Sequence, residues 1–274
     1  LVTPEGRLTA AGLARLLTHA DGGVKGVPDG ARIVPFLNKV ENVERLDAAR
    51  AAARLMLRES RVDRVVLGAA RTAQPVSEVW RRVTAVVLAA GESRRMGRNK
   101  LLLPWGETTV LGRTLDNVRA SAAHDVMVVT GHDRDKVETI VIRPGRMPLG
   151  EASATTIGVQ ITHNFDYANG MLTSVQAAVR ALPPTTEAIL VVLGDQPMIA
   201  PAIYDRLLAA YAASPAGFVA AGSLPKRRPL RPAAGPRALR ARHADDVLTV
   251  AVDSEAVLHD LDRPEEYDRF RPIN

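Results

Sequence analysis

The chain has 274 residues, no cysteine, 46% hydrophobic residues and a formal net charge of +6 at pH 7. This length and hydrophobic fraction allow one large domain or two smaller ones with buried cores. The absence of cysteine excludes disulfides and thiolate metal sites, and we find neither an apolar run of about 18 residues nor a secretory signal pattern. We therefore expect a cytoplasmic protein without a membrane span.

The positive charge alone would be compatible with a nucleic-acid partner, because clustered Lys and Arg neutralise phosphates. Aromatic residues make up only 4% of the chain, however, and no stacking platform for bases is visible in the sequence. Basic residues gathered around a small anionic substrate account for the charge equally well. We favour this second interpretation and expect no nucleic-acid binding.

Residues 1–82 are predicted to form a small, partial α/β domain. Apolar residues in this part recur at helical spacing or form short runs that are typical of strands. The predicted elements are helices over 8–19, 43–59 and 75–82 and strands over 31–38 and 61–70. No linker rich in Pro, Ser or Gly follows, so we expect a tight junction with the rest of the chain.

Residues 83–274 are predicted to form a larger α/β domain. Apolar runs such as "VMVVTG" and "ILVVLGD" are continuous rather than alternating, which is typical of parallel strands covered on both faces. The predicted fold is therefore a doubly wound, mostly parallel, Rossmann-like sheet. Strands are predicted at 83–90, 125–131 and 188–195, and helices near 110–121, 134–139, 171–182 and 201–213.

The segment "LAAGESRRMGRNK" begins within the last residues of the first of these strands and continues into the loop after it. Small residues at Ala89, Ala90 and Gly91 let the backbone approach a ligand, and Arg95 and Lys100 add full positive charges. Ligands of doubly wound sheets bind beyond the carboxyl ends of the strands, where this loop lies. The loop matches neither the Walker A nor the G-x-G-x-x-G pattern. It indicates a binding site for a triphosphate, and a basic surface loop is the alternative.

Asp195 is a candidate metal ligand, and Asp262 is a second acidic residue with more than one possible role. Asp195 closes an apolar strand, and a carboxylate at that place suits Mg²⁺, which bridges nucleotide phosphates. The alternative role for Asp195 is to cap a turn. Asp262 has the spacing of a capping box with Glu265, so the start of a helix is the alternative role there.

Four segments in order resemble the MobA-like nucleotidyltransferase family, and most closely the molybdenum cofactor cytidylyltransferases. They are LAAG-x-S-x-R-M-G-x-x-K with "LLLPWG", "NFDYANGMLTSVQAAV", "LVVLGDQPMI" and "LHDLDRPEEY", within residues 83–274. The resemblance implies transfer of CMP from CTP to the molybdenum-pterin cofactor, with release of pyrophosphate. Members with LAAG resemble the CTP users and those with LAGG the GTP users, so Ala90 indicates CTP.

The resemblance also implies the roles of individual residues. Arg95, Lys100 and Asp195 would be catalytic, and Mg²⁺ would be held by Asp195 and Asp262, with Asp260 as the next candidate. Asn169 and Met171 would lie near the base or the acceptor. The implied nucleotide-binding residues are Leu88, Ala89, Ala90, Gly91, Ser93, Arg95, Lys100, Gly170 and Ser174.

Two alternatives to the CTP-dependent enzyme remain open. One is a GTP-dependent guanylyltransferase of the same cofactor. The other is a non-catalytic carrier that hands the cofactor to an apo molybdenum hydroxylase or its chaperone. Residues 225–242 are shorter than the corresponding segment of the family, which favours the carrier. The presence of Arg95, Lys100 and Asp195 favours catalysis.

Residues 1–82 resemble the C-terminal part of a selenium-dependent hydroxylase accessory family. The run Asn38-Lys39-Val40-Glu41 is similar to the guanine-reading N-K-x-D turn of GTPases, with Glu in place of Asp. No Walker A loop precedes it, so we favour a plain turn between a strand and a helix. Both parts of the chain thus point to the maturation of a molybdenum hydroxylase.

Overall fold

The computed structural model describes residues 36–37, 43–59, 64–69, 76–142, 159–183, 186–214, 218–223 and 247–272. The chain divides into two compact units. The first consists of residues 1–82, 185–188 and 212–214, and the second of residues 83–184, 189–211 and 215–274. The predicted helix over 8–19, the Asn38–Glu41 turn and the segment 225–242 lie outside the described residues.

The described residues of the first unit form a small sheet and one helix. Its elements are β1 (Phe36–Leu37), α1 (Val43–Glu59), β2 (Arg64–Gly68) and β3 (Val76–Arg81). The sheet order is β1-β2-β3, with β1 and β2 parallel and β2 and β3 antiparallel. The predicted helix over 43–59 and the predicted strand over 61–70 are confirmed.

The helix predicted over 75–82 is wrong, because this segment forms β3. Successive side chains of a strand point to opposite faces, so Glu78 and Trp80 lie on the same face, and both are buried. The Trp80 indole donates a hydrogen bond to Glu78 at 2.7 Å, and Arg50 Nε donates another at 3.0 Å. Pairing with β2 and burial of this face outweigh the weak helical pattern of so short a segment.

The chain after Arg82 alternates strands and helices. In chain order its elements are β4 (Val83–Ala89), β5 (Pro104–Trp105), β6 (Thr108–Thr109), α2 (Val110–Arg119), β7 (Asp125–Thr130), α3 (Arg134–Ile142), β8 (Val159–His163), α4 (Met171–Ala181), β9 (Ala188–Leu193), α5 (Pro201–Ala213), β10 (Phe218–Ser223), β11 (Val247–Val252) and α6 (Pro264–Phe270). The predicted strands at 83–90, 125–131 and 188–195 and the four predicted helices are confirmed.

The main sheet has the order β8-β7-β4-β9. Neighbours β4 and β7 are parallel, as are β7 and β8. The two central strands are almost wholly buried, and Val86, Val87, Val126 and Val128 are each 0% exposed. This confirms the α/β fold with a parallel sheet covered by helices. β10 and β11 form a separate parallel pair, and β5 and β6 a short antiparallel one.

Among the described residues, no helix combines the length and the apolar character that crossing a membrane requires.

Candidate active site

A cavity of about 470 Å³ lies at the carboxyl ends of β4 and β9. It gathers side chains from the loop after β4, the start of α4, the end of β9 and the segment before α6. Its lining includes Leu88, Ala90, Gly91, Ser93, Arg94, Arg95, Lys100, Tyr167, Gly170, Met171, Ser174, Asp195, Asp260 and Asp262.

The cavity therefore brings together the predicted site residues with two exceptions. Ala89 does not line it, because alternate residues of a strand face opposite sides, and Ala89 is buried while Leu88 and Ala90 face the cavity. Asn169 is also not among the lining residues. Tyr167 is a lining residue that the sequence did not single out.

The loop after β4 is folded tightly onto itself. Ser93 adopts a left-handed backbone conformation, with φ of 53°, and its hydroxyl accepts a hydrogen bond from the Lys100 amide at 3.2 Å. Gly97 is also left-handed, with φ of 65°, which suits glycine. A Cβ added at Gly91 would meet no atom within 4 Å. The glycine therefore leaves the loop open on the side that lines the cavity.

Asn99 anchors the residue that follows it. Its side-chain oxygen accepts a hydrogen bond from the Leu101 amide at 3.1 Å, which caps the 3-10 turn that begins at Lys100. Its amide nitrogen donates to Asp133 at 3.3 Å, at the turn between β7 and α3. Asn99 is buried, and the sequence alone did not identify it. A polar residue directly before Lys100 is the feature of the sequence that could have predicted this cap.

Lys100 is the centre of the charged cluster. Its Nζ contacts Oδ2 of Asp195 and lies 2.8 Å from Oδ1 of Asp262. The other oxygen of Asp262 accepts a hydrogen bond from Arg95 at 3.0 Å. Lys100 and Asp195 are each 14% exposed, whereas Arg95 is 73% exposed. The cluster thus has a sheltered ion pair, Lys100 and Asp195, and an exposed cation, Arg95, at the rim of the cavity.

These contacts shift the protonation equilibria. Burial lowers the pKa of Lys100, but the charges and hydrogen bonds of Asp195 and Asp262 outweigh burial and raise it. Burial alone would raise the pKa of Asp262, yet Lys100 and Arg95 hold it below its ordinary value. Lys100 therefore stays protonated and Asp262 stays ionised at neutral pH.

The segment before α6 does not have the capping arrangement that was the alternative role of Asp262. Glu266, rather than Glu265, accepts hydrogen bonds from the backbone amides of Asp262 and Arg263, at 2.8 and 2.9 Å. The Asp262 carboxylate contacts Lys100 and Arg95 of the β4 loop instead, so the alternative role of Asp262 as a helix cap with Glu265 does not hold. The nearby Asp260 accepts a hydrogen bond from Gln196, at 2.9 Å.

Apolar packing explains why the loop and this distant segment meet. Leu261, which lies between the two aspartates, is 0% exposed. It belongs to a hydrophobic cluster of Met96, Leu103, Trp105, Val110, Leu261 and Tyr267. The Tyr267 hydroxyl also donates a hydrogen bond to the carbonyl of Pro104 at 2.6 Å. Burial of these side chains holds α6 against the β4 loop.

The start of α4 forms another wall of the cavity. Gly170 precedes the helix with φ of 106°, a conformation that favours glycine. Asn164 is buried and donates hydrogen bonds to the hydroxyls of Thr173 and Ser174, at 2.8 and 2.9 Å. Asn164 thereby orients Ser174, and the sequence assigned it no role.

The donor set is suited to a hard divalent cation. Within the described ranges, no three His, Cys, Asp or Glu side chains are grouped so as to hold a metal by themselves. Mg²⁺ is commonly held by one or two carboxylates together with substrate phosphates and water. The Lys100 ammonium stands between Asp195 and Asp262 as a resident cation, which marks this place as one that favours positive charge.

A parallel sheet that carries a basic, glycine-containing loop and facing carboxylates beyond its strand ends defines a class of α/β proteins that handle nucleotides. Residues 85–261 match the family model described as the MobA-like NTP transferase domain, and the chain belongs to this family. The family predicted from the four segments is thus confirmed, and it is a family of nucleotidyltransferase enzymes. The fusion of a selenium-dependent hydroxylase accessory part over residues 1–82 stays a prediction.

Individual relatives differ in their named activities. The chain is 33% identical over 125 residues to the molybdenum cofactor cytidylyltransferase of Escherichia coli strain K12, covering 46% of this chain and 57% of that protein. It is 31% identical over 150 residues to the nicotine blue oxidoreductase of Paenarthrobacter nicotinovorans, covering 54% of this chain and 67% of that protein. The match therefore spans little more than half of the first relative.

Solved structures show the same fold. A homolog of the Mycobacterium tuberculosis protein Rv0371c, from Mycobacterium sp. strain JC1, superposes with a TM-score of 0.52 at 28% identity. The superposition covers 69% of this chain and 94% of that one.

Proposed function

We propose that the chain transfers CMP from CTP to a terminal phosphate of a molybdenum-pterin cofactor. An oxygen of that phosphate attacks the α-phosphorus of CTP, the bond from the α-phosphorus to the oxygen bridging to the β-phosphorus breaks, and pyrophosphate leaves. One observation carries the proposal: Lys100 Nζ contacts both Asp195 and Asp262 inside a cavity that the glycine-containing β4 loop also lines.

Positioning and charge stabilisation carry most of such a displacement, because the protein has little covalent work to do. Lys100 would bind the β- and γ-phosphate oxygens, and Arg95 at the exposed rim would close over them. Backbone amides of the loop from Ala90 to Ser93 would bind further phosphate oxygens. Each of these groups stabilises the negative charge that moves onto the leaving pyrophosphate.

Asp195 would hold Mg²⁺ with Asp262 or Asp260, together with phosphate oxygens and water. Bound Mg²⁺ would neutralise charge on the phosphoryl oxygens and align the attacking and leaving groups. The negative charges of these carboxylates would also repel the nucleotide phosphates when no metal cation is present. In this way the chain's own residues make binding of nucleotide depend on accompanying positive charge.

The wall formed by Tyr167, Gly170, Met171 and Ser174 would contact the base or the acceptor. Asn164 would keep the Ser174 hydroxyl aimed for this contact. Ala90 supports CTP over GTP, through the LAAG pattern that resembles the cytidylyl-transferring members. The product would pass in the cytoplasm to an apo molybdenum hydroxylase or its chaperone.

The test is pyrophosphate release from CTP and from GTP, each with and without the molybdenum-pterin cofactor and Mg²⁺. Asp195→Asn serves as the inactive variant and Arg134→Met, on the surface of α3, as the matched control. Release from CTP that requires the cofactor is the expected result. Preference for GTP would indicate the guanylyltransferase, and nucleotide-loaded cofactor binding without pyrophosphate release would indicate the carrier.

One relative is named an oxidoreductase, so a requirement for a nucleoside triphosphate distinguishes the proposed nucleotidyl transfer from an oxidoreductase reaction. Turnover of any acceptor without a nucleoside triphosphate would contradict the proposal. An Ala90→Gly variant adds a second readout, because it recreates the LAGG pattern. We expect the ratio of GTP to CTP use to rise in this variant.

A further inference from the structure

The Lys100 ammonium contacts the two carboxylates that are proposed to hold the metal. Its Nζ contacts Asp195 Oδ2 and lies 2.8 Å from Asp262 Oδ1. The Lys100 backbone is held by Ser93 and its turn by the Asn99 cap, so only the side chain is free to leave this position. A divalent cation bound to the same two oxygens would have to lie within a few ångströms of Nζ.

We propose that Lys100 acts as a built-in counter-cation. Its ammonium occupies the position between Asp195 and Asp262 and prevents free divalent cations from binding there, so that the metal binds together with the nucleoside triphosphate. This inference rests on the proposed function. The substrate of the site is then the metal–nucleotide complex, and free metal followed by free nucleotide is a disfavoured order of binding.

Electrostatics explains why the metal can replace the Lys100 ammonium between the two carboxylates only when the nucleotide is present. Two cations a few ångströms apart repel strongly in a place as sheltered as this one, where Lys100 and Asp195 are each 14% exposed. Expelling Lys100 without a replacement anion would leave its ammonium without a partner in the cavity. A triphosphate supplies anionic oxygens within reach of the flexible four-carbon stem of lysine, so the ammonium exchanges carboxylates for phosphates.

The geometry of the rim supports the same exchange. Arg95 contacts the outer oxygen of Asp262 at 3.0 Å and is 73% exposed, so it can turn from this carboxylate to an arriving phosphate. Asp262 would then lose both of its cationic partners at the moment when a metal arrives. The carboxylates thus become available when the triphosphate binds, and not before.

The experiment measures Mn²⁺ binding directly, by electron paramagnetic resonance of free Mn²⁺, with no turnover involved. Wild type, Lys100→Met and the charge-matched surface control Arg134→Met are compared without nucleotide. We expect wild type and Arg134→Met to bind Mn²⁺ weakly and Lys100→Met to bind at least about tenfold more tightly. The Lys100→Met/Asp195→Asn double variant should lose this gain, which would locate the ion at Asp195.

A second measurement uses wild type alone, so that the inference stays testable if Lys100→Met fails to fold. After the Mn²⁺ bound by a non-hydrolysable CTP analogue in protein-free solution is subtracted, the analogue should raise the Mn²⁺ affinity of wild type by about tenfold or more. The inference would be overturned if, without nucleotide, wild type bound Mn²⁺ as tightly as Lys100→Met does. It would also be overturned if the analogue left the Mn²⁺ affinity of wild type unchanged. If no nucleotide supports pyrophosphate release but Lys100→Met still gains Mn²⁺ affinity, the counter-cation role stands and the proposed reaction fails.

Discussion

Lys100 and Asp262 are 162 residues apart in the chain, yet Nζ of the lysine lies 2.8 Å from Oδ1 of the aspartate. The contact links the loop after β4 to the segment before α6. Burial of Leu261 in the hydrophobic cluster places Asp262 at the cavity, and the Asn99 cap places Lys100 there. The charges that meet in the cavity are therefore positioned by apolar packing and by a buried amide.

Removing either member of the sheltered ion pair should abolish most of the activity. We expect Lys100→Ala and Asp195→Asn each to lower the rate of pyrophosphate release about 10²–10³-fold, because each removes a preorganised charge from the transition state. Circular dichroism should show an unchanged fold, and Arg134→Met should retain the wild-type rate. Near-normal turnover in a folded variant would remove that residue from the mechanism.

The stability contributed by Asp262 should depend on pH in a defined direction. Its pKa is lowered in the folded protein, since Lys100 and Arg95 outweigh the effect of burial. The unfolded chain then binds the proton more tightly, so this contribution is fully present above the ordinary pKa of 3.8 and is lost as pH falls through the folded-state pKa. Urea unfolding of wild type and Asp262→Asn should show a difference at neutral pH that shrinks toward acid pH. A constant difference across this range would contradict the assignment.

Gly91 in the β4 loop and Gly131, which follows β7, should respond differently to alanine. A Cβ at Gly131 would lie 2.7 Å from Ala90 Cβ and 2.9 Å from its carbonyl oxygen, whereas a Cβ at Gly91 would meet nothing within 4 Å. We expect Gly131→Ala to lower the free energy of unfolding by about 1–3 kcal/mol, as overpacking does. Gly91→Ala should leave unfolding unchanged but weaken CTP binding, measured by calorimetry. Equal stability of the two variants would count against the close approach of β7 to Ala90.

Asp133 should support Lys100 from outside the cavity. Its backbone is left-handed, with φ of 53°, and its carboxylate accepts hydrogen bonds from Asn99 at 3.3 Å and Lys136 at 3.1 Å. Asparagine tolerates this backbone and keeps an acceptor oxygen, whereas alanine provides neither. We therefore expect Asp133→Ala to lower the unfolding midpoint and CTP affinity, and Asp133→Asn to keep most of both.

The effect of Asp133 on CTP affinity should pass through Lys100. In a Lys100→Ala background, Asp133→Ala should cause no further loss of CTP affinity, which calorimetry of the four variants would establish. Additive losses would show that Asp133 acts independently of the lysine.

The sequence by itself determined the family and three of the four strands of the main sheet, while β8 (Val159–His163) was not predicted. Continuous apolar runs at Val83–Ala89 and Asp125–Thr130 indicated parallel strands, and parallel strands are what the structure has. Such runs reflect burial on both faces, which is a local property of the chain. The helix predicted over 75–82 was wrong because its alternating Glu78 and Trp80 gain burial only when β2 lies alongside, and this pairing leaves a weak local trace.

Residue types and spacing also placed Lys100 and Asp195 at strand ends, since the carboxyl ends of parallel strands share one edge of the sheet. Only the tertiary structure decided that Asp262 faces Lys100 while Glu266 caps the helix, and that Asn99 and Asn164 orient the site. The contact between Lys100 and Asp262 joins segments that are distant in the chain. The buried side-chain amides of Asn99 and Asn164 each have several available hydrogen-bond partners. The outcome of these contacts depends on how side chains such as Leu261 pack, and packing in three dimensions is not encoded in local periodicity.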